Sequence, residues 1–175
     1  MMTQHVKIPQ DRIGVLIGHN GFVKDDIEKK SESTITVDSN EGEVRIEGIE
    51  GGDPVKTLRV AEVVKAIGRG FSPESVLKLL DDDLLLFEVI SLSHLSQKTL
   101  NRVKGRVIGR NGKTRRTIEN LADVKISVYG KTISLIGYAY QIRTAHEAIA
   151  RLIHGAHHSS VYRFLERKRR AEGEW

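Results

Sequence analysis

The stretch VKGRVIGRNGKTRRTI, Val103 to Ile118, sets three glycines and an Asn-Gly pair between two apolar-periodic segments. An Asn-Gly pair usually marks a β-hairpin. The flanks here do not alternate as strands do. Val107 and Ile108 precede the pair, and Ile118, Leu121 and Ala122 follow at helical spacing. The reading is helix, tight glycine turn, helix. Lys104, Arg106, Arg110, Lys113, Arg115 and Arg116 crowd around the turn. A glycine turn that opens a helix among cations suits an anionic ligand, because free amides and the helix dipole both face it.

The pattern occurs twice. Gly14, Ile17, Gly18, Asn20, Gly21 and Ile27 become Gly105, Ile108, Gly109, Asn111, Gly112 and Ile118 when 91 is added to each number. The match runs on through TITV (Thr34–Val37) against KISV (Lys125–Val128), then VRIEG (Val44–Gly48) against ISLIG (Ile133–Gly137). This is an internal duplication, so the 175 residues divide into two units of about seventy residues each.

Composition narrows the chemistry. There are no cysteines, hence no disulfide framework and no thiolate metal site. That fits a reducing cytoplasm. MMTQHVKIPQ has no apolar core, so no targeting segment is expected. The apolar stretch Leu84–Ile90 is too short to span a bilayer. Residues 1–70 carry 10 Lys/Arg and 12 Asp/Glu, residues 71–100 carry 2 and 5, and residues 101–175 carry 16 and 6. A net charge of +10 on the last segment, beside the glycine turn, points to a polyanion.

Each unit reads β-α-α-β-β-α. In the first, HVKIP is a strand, Ile13–Ile17 and Phe22–Lys30 are helices, Thr34–Asp38 and Glu43–Gly48 are strands, and a helix follows Pro54. Residues 71–83 are expected to be a linker with a short helix. The second unit, 84–155, repeats the order and ends in a helix near Ala139–His154. Residues 156–175 are expected to be a basic tail, a short helix or a disordered arm, without an apolar face wide enough to dock. Deleting 160–175 is therefore expected to leave the units folded.

GRNGKT looks like a nucleoside-triphosphate loop, but that motif needs a glycine at position 107, which is Val107. His154, His157 and His158 have a spacing that could hold a metal, and Asp81–Asp83 could hold magnesium. A solvated helix end and an acidic linker are the preferred readings. No catalytic arrangement has a supporting motif, so neither an enzyme nor a metal or other cofactor is expected. The better match is a glycine-x-x-glycine loop joining two short helices. Both units resemble type I KH domains over residues 5–155, and VIGRNG is the signature. The fold class implied is α+β, two tandem type I KH domains, each a three-stranded antiparallel sheet packed by three helices.

A KH module clamps about four single-stranded nucleotides along their backbone. The resemblance places RNA at Gly109, Arg110, Asn111, Gly112 and Lys113, with Arg106, Arg115 and Arg116 beside them. Bases would lie in a groove of Val107, Ile108, Ile118, Lys125 and Ile126. In the first unit, Gly18, His19, Asn20, Gly21 and Lys24 are the counterparts. That loop is the weaker RNA site or partly a protein contact, since Asp25, Asp26 and Glu28 follow it. Two such units with no other domain look like the archaeal relatives of the partner-of-Nob-one (Dim-two) and Krr-one proteins. The resemblance implies binding of small-subunit ribosomal RNA near its 3′ end during ribosome biogenesis. A Nob-one-like endonuclease and translation initiation factor two alpha are the implied partners. A regulator of messenger RNA or single-stranded DNA, and a protein adaptor, are the alternatives.

Overall fold

The computed structural model describes residues 1–173; Glu174 and Trp175, the end of the expected tail, lie outside the described residues. The chain divides into two units, Met1–Asp83 and the remainder from Leu84. The first comprises β1 (Thr3–Lys7), α1 (Gln10–Ile17), α2 (Phe22–Ser31), β2 (Ser33–Asp38), β3 (Glu43–Gly48), α3 (Pro54–Gly68) and α4 (Pro73–Asp81). The second comprises β4 (Leu86–Ser91), α5 (Gln97–Ile108), α6 (Lys113–Ala122), β5 (Lys125–Tyr129), β6 (Thr132–Gly137), α7 (Ala139–Ile153) and α8 (His158–Gly173). Each unit has one antiparallel three-stranded sheet, in the orders β1-β3-β2 and β4-β6-β5.

The period-2 pattern decides the faces of the first sheet. Val6, Ile35, Val44 and Ile46 are buried, while His5, Thr34, Thr36 and Arg45 are exposed. In the second unit, Ile133 and Leu135 of β6 join Leu100, Val103, Val107 and Ile118 from α5 and α6, and Ile142, Ile149 and Leu152 from α7, in one core. Helix starts follow local chemistry. Asp53 accepts the Val55 amide hydrogen ahead of α3, which opens on Pro54, and Ser96 accepts that of Thr99 ahead of α5.

Two expectations are corrected. Residues 71–83 are not a loose connector, because α4 packs on α2 and α3 and buries Val76 and Leu79. The tail is not a free arm either. Helix α8 packs on α6 and α7 and buries Val161, Phe164 and Leu165 in the core of the second unit. Three apolar residues at i, i+3 and i+4 suffice, because two helices receive them. The cations do not oppose this: the Arg151 guanidinium lies 4.0 Å from the Phe164 ring centre and the Lys168 ammonium 5.9 Å.

Helices α4 and α8 are the same element. Adding 85 to the residue numbers converts α3 to the span of α7, Pro73 to His158, Val76 to Val161 and Leu79 to Phe164. The repeated unit is therefore β-α-α-β-β-α-α. The corner between its last two helices also repeats. Gly70 (φ 99°) and Gly155 (φ 95°) take a left-handed conformation that favours glycine. The Phe71 amide donates to the Ala66 carbonyl at 3.2 Å, and that of Ala156 to Arg151 at 2.9 Å, closing a Schellman turn in each unit.

An arginine fastens each corner. Arg12 of α1 donates to the carbonyls of Ile67 and Phe71, both at 2.8 Å. Arg106 of α5 donates to Leu152 at 3.0 Å and to Ala156. The acceptors are equivalent between units, but the donors are not. Arg12 corresponds to Val103, three residues before Arg106, and so reaches the same place from a neighbouring position on one helix face.

Candidate nucleic-acid interface

The two glycine loops have one geometry. Helix α1 ends at Gly18, whose amide donates to the Gly14 carbonyl at 2.9 Å; α5 ends at Gly109, donating to Gly105 at 2.8 Å. Gly18 has φ/ψ of 75°/177° and Gly109 of 74°/175°. A single 3-10 turn follows, with Asn20 at φ 52° and Asn111 at φ 54°. Asparagine is among the few side chains that tolerate this region. Glycine is required at the turn's entry. A Cβ on Gly109 would stand 2.7 Å from the Thr114 amide nitrogen, and one on Gly18 2.9 Å from that of Val23. The loop thus folds flat against the first turn of the next helix. Neither α2 nor α6 has a side-chain cap; the first amide of each, Phe22 and Lys113, donates back to the His19 and Arg110 carbonyls of the turn.

Identical backbones carry opposite charge. A Cβ on Gly112 would meet the Arg116 guanidinium at 3.0 Å; one on Gly21 would meet the Asp25 carboxylate at 3.9 Å. Exposed Arg110 and Lys113 are matched by His19 and by Phe22, which is 69% exposed. Lys24 is bound to Glu28 at 3.2 Å. Among the described residues, Arg102, Arg110, Lys113 and Arg116 take part in no ion pair.

Residues 86–170 match a eukaryotic-type (type I) KH domain, the second KH domain of PNO1, and residues 3–55 match a KH domain. A KH domain-containing protein of Methanocaldococcus jannaschii is 44% identical, over 94% of this chain and 73% of its own. The chain belongs to the tandem KH-domain family of PNO1 and Dim2 proteins.

The crystal structure of Dim2p from Pyrococcus horikoshii OT3 superposes on this KH protein with a TM-score of 0.90 at 46% identity, covering 95% of this chain and 99% of that one. The crystal structure of an a/eIF2alpha–aDim2p–rRNA complex from the same organism matches with a TM-score of 0.92 at 45% identity, over 97% and 95%. The RNA-binding protein pno1 of Dictyostelium discoideum is 36% identical over 59% of this chain. The KH protein spans 45% of that relative's length. No helix among the described residues is long and apolar enough to cross a membrane.

The second KH unit brings Gly109, Arg110, Asn111, Gly112, Lys113 and Arg116 together at one exposed loop. Several of the expected contacts are already engaged within the protein. Val107, Ile118 and Ile126 are buried in the core. Arg106 is committed to the α7–α8 corner. Arg115 donates to Glu119 at 2.6 Å. Half-buried Ile108 and exposed Lys125 remain available. Two of the three histidines are also engaged: His154 Nδ1 lies 2.7 Å from the Ala150 carbonyl and His158 Nε2 lies 2.9 Å from that of Arg106.

A cavity of ≈ 490 Å³ beside the loop was not foreseen; it is lined by Arg102, Gly105, Arg106, Gly109, Arg110, Lys113, Thr114, His158 and Tyr162. Its far wall is α8, the segment expected to be a basic tail. Tyr162 donates to the Thr114 hydroxyl at 3.0 Å. The apolar spacing of Val161, Phe164 and Leu165 is the signal that could have placed this helix.

Proposed function

We propose that this protein binds single-stranded RNA through the Gly109–Gly112 loop of its second KH domain. On this reading it acts on small-subunit ribosomal RNA, near the 3′ end, during ribosome assembly in the cytoplasm. The carrying observation is the loop itself: a helix α6 that opens with no side chain capping it, glycines that admit a backbone, and Arg110, Lys113 and Arg116 free of ion pairs among the described residues. The ribosomal part is supported by likeness to PNO1 proteins named for pre-rRNA processing and to the Dim2p of an rRNA complex.

The first domain favours a second role. Its loop pairs an exposed Phe22 with Asp25, which suits a protein partner better than phosphate. A translation initiation factor two alpha subunit or a processing endonuclease fits that role. Ultraviolet crosslinking in cells, with sequencing of the bound RNA, tests the main reading. Reads should concentrate at the 3′ end of small-subunit rRNA. Concentration on messenger RNA would replace that assignment with the regulatory one.

A further inference from the structure

Helix α5 presents three faces. Leu100, Val103 and Val107 are buried. Lys104 and Ile108 form one flank, toward the groove expected from the KH resemblance. Arg102, Gly105 and Gly109 run along the exposed side, Gly105 one turn from Ile108, and line the ≈ 490 Å³ cavity walled by α8. What the cavity adds to the glycine loop is the α8 wall, with His158 and Tyr162.

Its chemistry is that of a nucleotide site. Exposed Arg102, Arg110 and Lys113 surround it, with no ion pair among the described residues. The rings of His158 and Tyr162 meet edge to face, with centroids 6.2 Å apart. Each ring is anchored by its polar atom, His158 to the Arg106 carbonyl and Tyr162 to Thr114. Two held aromatics beside unpaired cations form the stacking platform and phosphate clamp that single strands need. Gly105 adds an independent observation. It sits inside a helix, which glycine weakens relative to alanine, yet a Cβ there would meet nothing within 4 Å. Packing within the protein does not account for this glycine. Close approach of something from outside would, and Gly14, its counterpart in the first unit, is open in the same way.

We infer that the cavity between α5, the glycine loop and α8 binds one further nucleotide of the RNA strand, its base on the Tyr162–His158 pair and its phosphate among Arg102, Arg110 and Lys113. This rests on the RNA reading above and extends the track past the four nucleotides of a KH groove. Helix α8 thereby becomes part of the interface.

The test uses the intact protein and single-stranded RNAs from the 3′ end of small-subunit rRNA: a four-nucleotide core, and the core extended by three nucleotides at either end. Extension at one end should raise affinity about tenfold, the scale of one stacked base. Tyr162→Ala should remove that gain while leaving the core within about twofold. Tyr162→Phe should keep it, and Arg102→Ser, at an exposed position, should reduce it. With 4-thiouridine in the extension, crosslinks should fall in the tryptic peptide 152–163. Equal loss on core and extended RNA, no gain at either end, or crosslinks elsewhere would overturn the subsite and leave RNA binding standing. If the unaltered protein binds none of the RNAs, the broader reading fails with it.

Discussion

Gly105 and Gly109 are one helical turn apart, yet a methyl group added to each meets opposite fates. At Gly109 it is driven against the Thr114 backbone, on a residue whose φ is already 74°. Gly109→Ala should cost the second unit at least about 2 kcal/mol. At Gly105 the methyl enters open space in a regular helix. Gly105→Ala should therefore stabilise that unit by about 0.5 to 1 kcal/mol and raise its melting temperature by a few degrees, while weakening RNA binding. Calorimetry and binding on the same samples check both halves. A Gly105→Ala protein that is more stable and binds as well as before would show that nothing approaches this flank.

At the scale of elements, α8 has the most to test. Removing residues 158–175 takes Val161, Phe164 and Leu165 out of the core. The second unit should then lose its cooperative transition, and Leu165→Ala alone should cost about 2 to 5 kcal/mol. Arg167→Ser together with Arg170→Ser, both exposed, should leave melting unchanged within about a degree. A truncated chain that melts normally would restore the picture of a free arm. The glycine loop was legible in the sequence because glycine and asparagine report a backbone conformation directly. The strands themselves were legible too, since alternation and turn residues are local; the order β1-β3-β2 was not, because it depends on pairing between distant segments. Helix α8 was not. Five cations in Arg163–Arg170 obscure its three apolar residues, and its equivalence to α4 is hidden by a change of repeat offset from 91 to 85. The burial of Val107, Ile118 and Ile126 was missed for another reason. A periodic apolar residue looks the same whether its face meets a ligand groove or a core.

The whole molecule is electrically lopsided. Residues 1–83 hold 11 Lys/Arg against 16 Asp/Glu, and residues 84–175 hold 17 against 7. Two loops of equal shape should therefore differ as phosphate sites. Arg110→Asp with Asn111→Asp should reduce RNA affinity far more than His19→Asp with Asn20→Asp. Aspartate accepts the left-handed conformation of Asn20 and Asn111, so each pair leaves the fold alone. The first loss should shrink as salt rises, as expected of phosphate contacts on a single strand. Equal losses on one oligonucleotide, with circular dichroism confirming folding, would show that charge does not rank the domains.

The fastening of each corner by Arg12 and Arg106 has a consequence for inheritance. Both acceptors in each unit are main-chain carbonyls, present whatever residue occupies Ile67, Phe71, Leu152 or Ala156. Only one end of the link is written in the genes. As far as this link is concerned, the receiving side chains are indifferent, and selection for it acts on the arginine alone; packing still holds Ile67, Phe71 and Leu152, which are buried. The donor is also portable, because any site on the right helix face within reach serves. The two copies, fastened alike from positions that do not correspond, record that freedom.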